Sequence, residues 1–124
     1  MTRGIRGATT VKENEATTMI ENTRRLIEEM VQTNNIVPED ISHVFISVTG
    51  DLNATFPAKG LRELPGYMYV PVMCMSEIDV PGSLTKCIRI MMVVNTQIDQ
   101  SGINHIFHNE AIKLRPDLTE KGAT

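Results

Sequence analysis

A chain of 124 residues has room for one domain. Its formal charge of −3 and pI of about 5.6 exclude the broad basic surface that nucleic acid or an anionic membrane demands, so any cation that matters acts locally. Hydrophobic residues make up 41% but aromatics only 4%, with no Trp, which leaves the core to Ile, Val, Leu and 8 Met and favours its completion by association with other copies.

Residues Arg3 to Ala8 alternate weakly and read as a first strand that runs into Gly7-Ala8-Thr9-Thr10. A helix is expected next, with Asn14 as N-cap and Met19, Ile20, Thr23, Leu26, Ile27, Met30 and Val31 at helical spacing on one face. Glu21 with Arg25, Arg24 with Glu28 and Arg25 with Glu29 lace the opposite face at i,i+4, which reads as solvated surface rather than a site. Asn34-Asn35 stops the helix, Pro38-Glu39-Asp40 turns the chain, and Ser42 to Thr49 reads as a strand with Val44, Ile46 and Val48 on one face. Pro57 then opens a short helix through Leu64, and Pro65-Gly66 turns the chain into a strand from about Tyr69 to Met75.

A loop from Glu77 to Thr85 precedes the apolar strand Cys87-Ile88-Arg89-Ile90-Met91-Met92-Val93-Val94. A polar turn around Asp99 to Gly102 leads to a last strand, or pair of strands, through Ile106, Phe107, Ile112 and Leu114. Pro116 ends the order, and residues 119–124 have the composition of a flexible tail. The order β-α-β-(short α)-β-β-β, without repeats, makes residues 1–118 a single α+β domain: a mostly antiparallel mixed sheet with one long helix on one face. The other face stays apolar and uncovered, which predicts a symmetric oligomer.

Arg89 is the one charge in an otherwise apolar strand. An unpaired guanidinium taken out of water costs several kcal/mol, so it must meet an internal carboxylate or a bound anion. Arg6 and Arg115 also lie on or at the end of apolar strands, and Lys59 and Arg62 flank the short helix; Cys74 and Glu77 add one polarizable donor and one carboxylate. Several cations with one Glu suit a small dianion that also carries a hydroxyl. No metal is expected, because His105-x-x-His108 is a weak pair with no carboxylate or thiol at ligand spacing. Without a phosphate-binding glycine loop, a Gly-x-Ser-x-Gly turn or a dinucleotide fingerprint, an enzyme built this way needs no cofactor and no covalent intermediate. The N-terminus lacks the apolar stretch of a signal peptide, and Cys74 and Cys87 lack a CxxC spacing, so a cytoplasmic protein with reduced thiols is expected, a Cys74–Cys87 disulfide remaining open.

Arg3-Gly4-Ile5-Arg6-Gly7-Ala8-Thr9-Thr10, Phe56-Pro57-Ala58-Lys59, Val70-Pro71-Val72, Cys74-Met75-x-Glu77, Cys87-Ile88-Arg89 and Leu114-Arg115-Pro116-Asp117 occur in that order without large insertions. In these motifs, and from Arg3 to Leu118, the chain closely resembles the monofunctional chorismate mutases of the AroH class, the Bacillus type. The resemblance implies a homotrimer of small subunits in a pseudo-α/β barrel, with active sites at the subunit interfaces. It implies an isomerase that converts chorismate to prephenate by an intramolecular Claisen rearrangement, in the shikimate pathway toward phenylalanine and tyrosine.

By matching position, the resemblance implies that Arg89 donates to the ether oxygen and to a substrate carboxylate, that Arg6 holds the side-chain carboxylate, and that Glu77 and Cys74 bind the ring hydroxyl. Phe56, Ala58, Lys59, Val72, Met73 and Leu114 would line the pocket, with Arg62 and Arg115 adding positive potential near its mouth. Two positions depart from the family pattern: Phe107 stands where the Bacillus type has a tyrosine that reaches the substrate carboxylate, and Met73 replaces a threonine beside Cys74. Competing readings are a trimeric YjgF-type enamine or imine deaminase, which also sets an arginine on a substrate carboxylate, and a non-catalytic trimer that binds a small anion.

Overall fold

β1 (Thr2–Thr10) and β4 (Cys87–Asn95) pair antiparallel along their whole length, from Thr2 opposite Asn95 to Thr10 opposite Cys87, in a computed structural model that describes residues 1–115. β2 (Ile41–Val48) pairs antiparallel with the other side of β4, with a bulge between Ile41 and His43. β3 (Val72–Ser76) joins β2 in parallel, and β5 (Ile106–Phe107) joins β1 in parallel, giving the order β3-β2-β4-β1-β5. The mixed sheet is therefore antiparallel at its centre and parallel at both edges. Pro116 and the tail expected at 119–124 lie outside the described residues.

Both helices pack on one face. α1 (Ala16–Thr33) turns Met19, Leu26, Ile27 and Met30 inward, α2 (Ala58–Arg62) adds Leu61, and these meet Ile5, Ile46, Ile90 and Met92 in one core. β1 and α1 come close at Gly7, where a Cβ would clash with Met30 Sδ, so a side chain there displaces Met30. Glu15, not Asn14, is the N-cap. Asn14 is engaged elsewhere: its Oδ1 accepts the amides of Asn53 and Ala54 at 3.0 and 3.1 Å, which pins the loop before α2. Of the three expected i,i+4 pairs, only Arg24–Glu28 forms among the described residues.

α1 ends at Asn34, and Asn35 follows at φ 55°, a left-handed conformation that Asn tolerates. The Asn34 side chain is buried and fully used. Its Nδ2 donates to Met30 O and Asn104 O, and its Oδ1 accepts the Asn104 amide, each at 2.8 Å. Replacing it by Ala strips both backbone groups of Asn104 of their partner at once. Asn34→Ala should lower stability by about 2–3 kcal/mol, read as a lower urea midpoint at fixed protein concentration.

Two expectations fail for identifiable reasons. Ile112 and Leu114 are not in a strand: Asn109–Leu114 is a 3-10 helix. Asn109 sits at φ 55° and donates to Thr10 O, while Thr10 Oγ1 accepts the Glu110 amide, so side chains of β1 take the chain off the ladder after Phe107. Nor is Arg89 taken out of water within the described residues. Ile88, Ile90, Met92 and Val94 point into the core, but Arg89 and Met91 lie on the face opposite the helices. The Arg89 side chain is 55% exposed.

Strand register arranges that open face in rows. Met73, Phe45, Met91 and Arg6 lie side by side across β3, β2, β4 and β1; the next row is Met75, Ser47, Arg89, Ala8 and Phe107. A largely apolar row thus runs beside one that carries the polar groups.

Candidate active site

The polar row forms the floor of a cleft of about 500 Å³. β1 contributes Arg6, β2 Ser47, β4 Arg89 and β5 Phe107; Glu77 enters from the end of β3, and Leu114 and Arg115 from the end of the 3-10 helix. Arg6 is anchored through its backbone, whose amide donates to His105 Nδ1 at 2.9 Å. Strand alternation accounts for the convergence, because Arg6 and Ala8 share a face and register sets Arg89 opposite Ala8 and Ser47.

Glu77 is the acceptor among these cations. Its Oε2 takes a hydrogen bond from Ser47 Oγ at 2.7 Å and a second from Arg89 Nη1 at 3.1 Å. The Ser47 hydroxyl, with help from the Arg89 charge and against partial burial, holds the carboxyl below the ordinary glutamate range, so Glu77 is ionised at neutral pH. Cys87 lies beneath the pair, and burial pushes its thiol up to about 11, leaving it neutral and unreactive.

A second cleft, of about 530 Å³, contains Phe56, Lys59 and Cys74, and adjoins the first through Met75 and Ser76, which line both. The residues singled out from the sequence therefore divide. Arg6, Glu77, Arg89, Phe107, Leu114 and Arg115 meet in one cleft; Phe56, Lys59 and Cys74 meet in the other.

Cys74 and Glu77 do not converge through their side chains. Alternation along β3 turns Val72 and Cys74 toward the core, where Val72 packs, and burial raises the Cys74 thiol against the opposing Ala58 amide. What Cys74 offers outward is backbone. In the parallel β2–β3 ladder Pro71 O and Glu77 N face β2, so the alternate amides of Val72, Cys74 and Ser76 point from the free edge. Met73 projects from the open face, 62% exposed, outside both clefts. Arg62 lines neither cleft; its Nη1 donates to the carbonyls of Tyr67, Met68 and Val70, which fixes the loop before β3.

The histidines have other work. His105 accepts from Arg6, and His108 Nε2 faces Glu29 Oε1 at 3.3 Å. Among the described residues no group of three or more His, Cys, Asp or Glu side chains could hold a metal ion, both cysteines are free, and no helix is long and apolar enough to cross a membrane. Ser47 is the site residue that sequence reasoning missed. Its one signal is an outward position between the inward-facing Ile46 and Val48.

Comparison with known proteins shows the family. The profile of the family described as chorismate mutase type I matches residues 2–118. The chain is 48% identical over 119 residues to the chorismate mutase AroH of Bacillus subtilis, covering 96% of this chain and 94% of that one. It is 40% identical over 119 residues to the chorismate mutase AroH of Thermus thermophilus, covering 95% and 97%. A solved chorismate mutase from Clostridium thermocellum superposes with a TM-score of 0.85 at 47% identity, covering 87% of this chain and 96% of that one. The match over nearly the whole chain, in sequence and in fold, places this protein in the type I chorismate mutase family.

Proposed function

We infer that this protein is an isomerase that converts chorismate to prephenate. The observation that carries the reading is an ionised Glu77 set against Arg6, Arg89 and Arg115 in one cleft, on a chain of this family. The rearrangement breaks one C–O bond and makes one C–C bond within a single molecule. It needs no nucleophile, general base or cofactor; it needs the folded conformer held and the charge growing on the ether oxygen met by fixed donors.

Arg89 is the donor to that oxygen, since its fork keeps N–H groups beyond the Nη1 that Glu77 occupies. Arg6 and Arg115 hold the carboxylates, and Glu77 accepts from the ring hydroxyl. Cys74 contributes its outward backbone N–H rather than its thiol. Phe107 lies in the cleft without a hydroxyl. Phe107→Tyr should restore one hydrogen bond to a substrate carboxylate, worth about 0.5–1.5 kcal/mol, and lower KM roughly two- to tenfold with little change in kcat.

The working unit is a homotrimer. Two features support this: an open sheet face with Phe45, Met73, Met75 and Met91 exposed, and a divided set of site residues. A closed ring of three copies brings the Phe56–Lys59 cleft of one subunit against the Arg89 cleft of the next. The reaction serves aromatic amino acid biosynthesis in the cytoplasm.

The deaminase and the non-catalytic anion binder are not favoured by a family match of this extent. Purified protein given chorismate should form prephenate, with the mass of the active species that of three subunits. Chorismate left unchanged would overturn the activity; a monomer with full activity would overturn the interfacial site.

A further inference from the structure

Ser47 and Arg89 are cross-strand neighbours on β2 and β4, and both donate to the same oxygen of Glu77. That sharing has a chemical consequence. An arginine beside an otherwise unconstrained carboxylate tends to close a fork, two parallel N–H···O bonds that use both oxygens and two guanidinium nitrogens. Here only Arg89 Nη1 is bonded to Glu77, at 3.1 Å, while the shorter bond, 2.7 Å, comes from Ser47 on the opposite strand. The hydroxyl therefore competes for the carboxylate and sets its angle.

We propose that Ser47 is a positioning residue of this site: its hydroxyl fixes Glu77 so that the carboxylate takes one bond from Arg89 instead of two, and the rest of the guanidinium stays turned into the cleft. The inference rests on the chorismate mutase reading for its kinetic consequence, but not for its electrostatic one. Without Ser47, Glu77 swings onto Arg89, and the donors needed at the ether oxygen are tied up before substrate arrives. Substrate binding through Arg6 and Arg115 is left largely as it was, so the loss falls on kcat more than on KM.

Among the described residues, the charged and titratable groups that share a cleft with Glu77 or interact with it are Arg89 and Cys87 from β4, Arg6 from β1, Arg115 from beyond the 3-10 helix, and Asp51 and Asp79 from the flanking loops. Ser47 gives Glu77 a neutral donor, and closing on Arg89 replaces it with a second charge-assisted bond, so a carboxylate that swings titrates no higher than before, whereas one that merely loses the Ser47 bond titrates higher. The acid limb of the pH profile then does not move up. Ionisations of the substrate are common to all variants and cancel in the comparison.

Three proteins decide the matter: wild type, Ser47→Ala and Ser47→Thr, the last retaining a hydroxyl on a strand position that suits a β-branched side chain. The Glu77 carboxyl is titrated by carbon-13 NMR, and prephenate formation is followed across pH. Ser47→Ala should lower kcat roughly tenfold with KM changed less than threefold, and leave the Glu77 pKa and the acid limb no higher than in wild type; Ser47→Thr should recover most of the kcat. A Glu77 pKa that rises in Ser47→Ala, or a kcat within twofold of wild type, overturns the proposal. A merely structural role for Ser47 would lower the amount of folded enzyme but not the kcat of what folds. If wild type itself makes no prephenate, the mutase reading fails, and the NMR titration still decides whether Ser47 governs the carboxylate.

Discussion

Arg89→Ala should lower kcat for prephenate formation by about a thousandfold or more while the protein remains folded and assembled. Removing one fixed donor from a developing oxyanion costs roughly 3–4 kcal/mol, or about a hundred- to a thousandfold in rate. In the proposed chemistry Arg89 brings a full charge to that position as well as a hydrogen bond, which sets the loss at the upper end or beyond. The fold should not suffer. The side chain is half exposed, stands on the open face away from the core, and leaves Glu77 still bonded to Ser47. Arg89→Lys should recover less than a tenth of the lost rate, because a single ammonium cannot bond Glu77, the ether oxygen and a carboxylate with the geometry of a planar fork. Steady-state turnover of each variant, beside circular dichroism and mass, checks this; near-normal turnover in Arg89→Ala would refute the assigned role.

Much of the fold was legible because local chemistry dictated it. The spacing of Met19, Thr23, Leu26, Ile27 and Met30 sets the buried stripe of α1, and Val44 and Ile46 set the inner face of β2. Where periodicity was silent, partners decided. The run from Cys87 to Val94 is apolar at nearly every position, so periodicity does not say which residues face outward; only the location of the helices reveals that Met91 and Arg89 share the face opposite them. Asn14 looks like an N-cap until residues 53 and 54, far along the chain, claim its oxygen. The same holds for Ile112 and Leu114, whose apolar pattern suits a strand but whose backbone is diverted by Asn109 and the threonines of β1.

The site divides along similar lines. Arg6, Glu77, Arg89 and Arg115 could be named from the sequence, by charge in apolar surroundings and by resemblance, and they do share a cleft. The odd-even phase of β3 could not be weighed before its register was known, and it turns the Cys74 thiol away from Glu77. Arg62 shows the limit of counting charge: three carbonyls of one loop hold the Nη1 of a guanidinium that lines neither cleft. Ser47 is the converse. An uncharged residue with an unremarkable neighbourhood in sequence becomes central once two strands set it opposite Arg89 and within reach of Glu77.

Phe45→Glu should convert the protein to a monomer and reduce activity at least a hundredfold, although Phe45 bonds to nothing in the proposed chemistry. Phe45 stands in the apolar row between Met73 and Met91 and is 40% exposed in the single subunit, so a glutamate there stays in water if the subunit is alone. In the proposed ring the same carboxylate is taken out of water, at a cost of several kcal/mol, and the burial of an aromatic side chain, worth about 1.5–3 kcal/mol, is lost as well. The penalty recurs in every subunit. Activity follows assembly if, as proposed, the cleft with Arg89 in one subunit is completed by the cleft with Phe56 and Lys59 of the next. Sedimentation equilibrium gives the mass, turnover at matched subunit concentration gives the activity, and circular dichroism shows that the lone subunit keeps its sheet. A variant that stays trimeric at full activity would show that this face is not the interface, while a fully active monomer would show that each subunit carries a complete site.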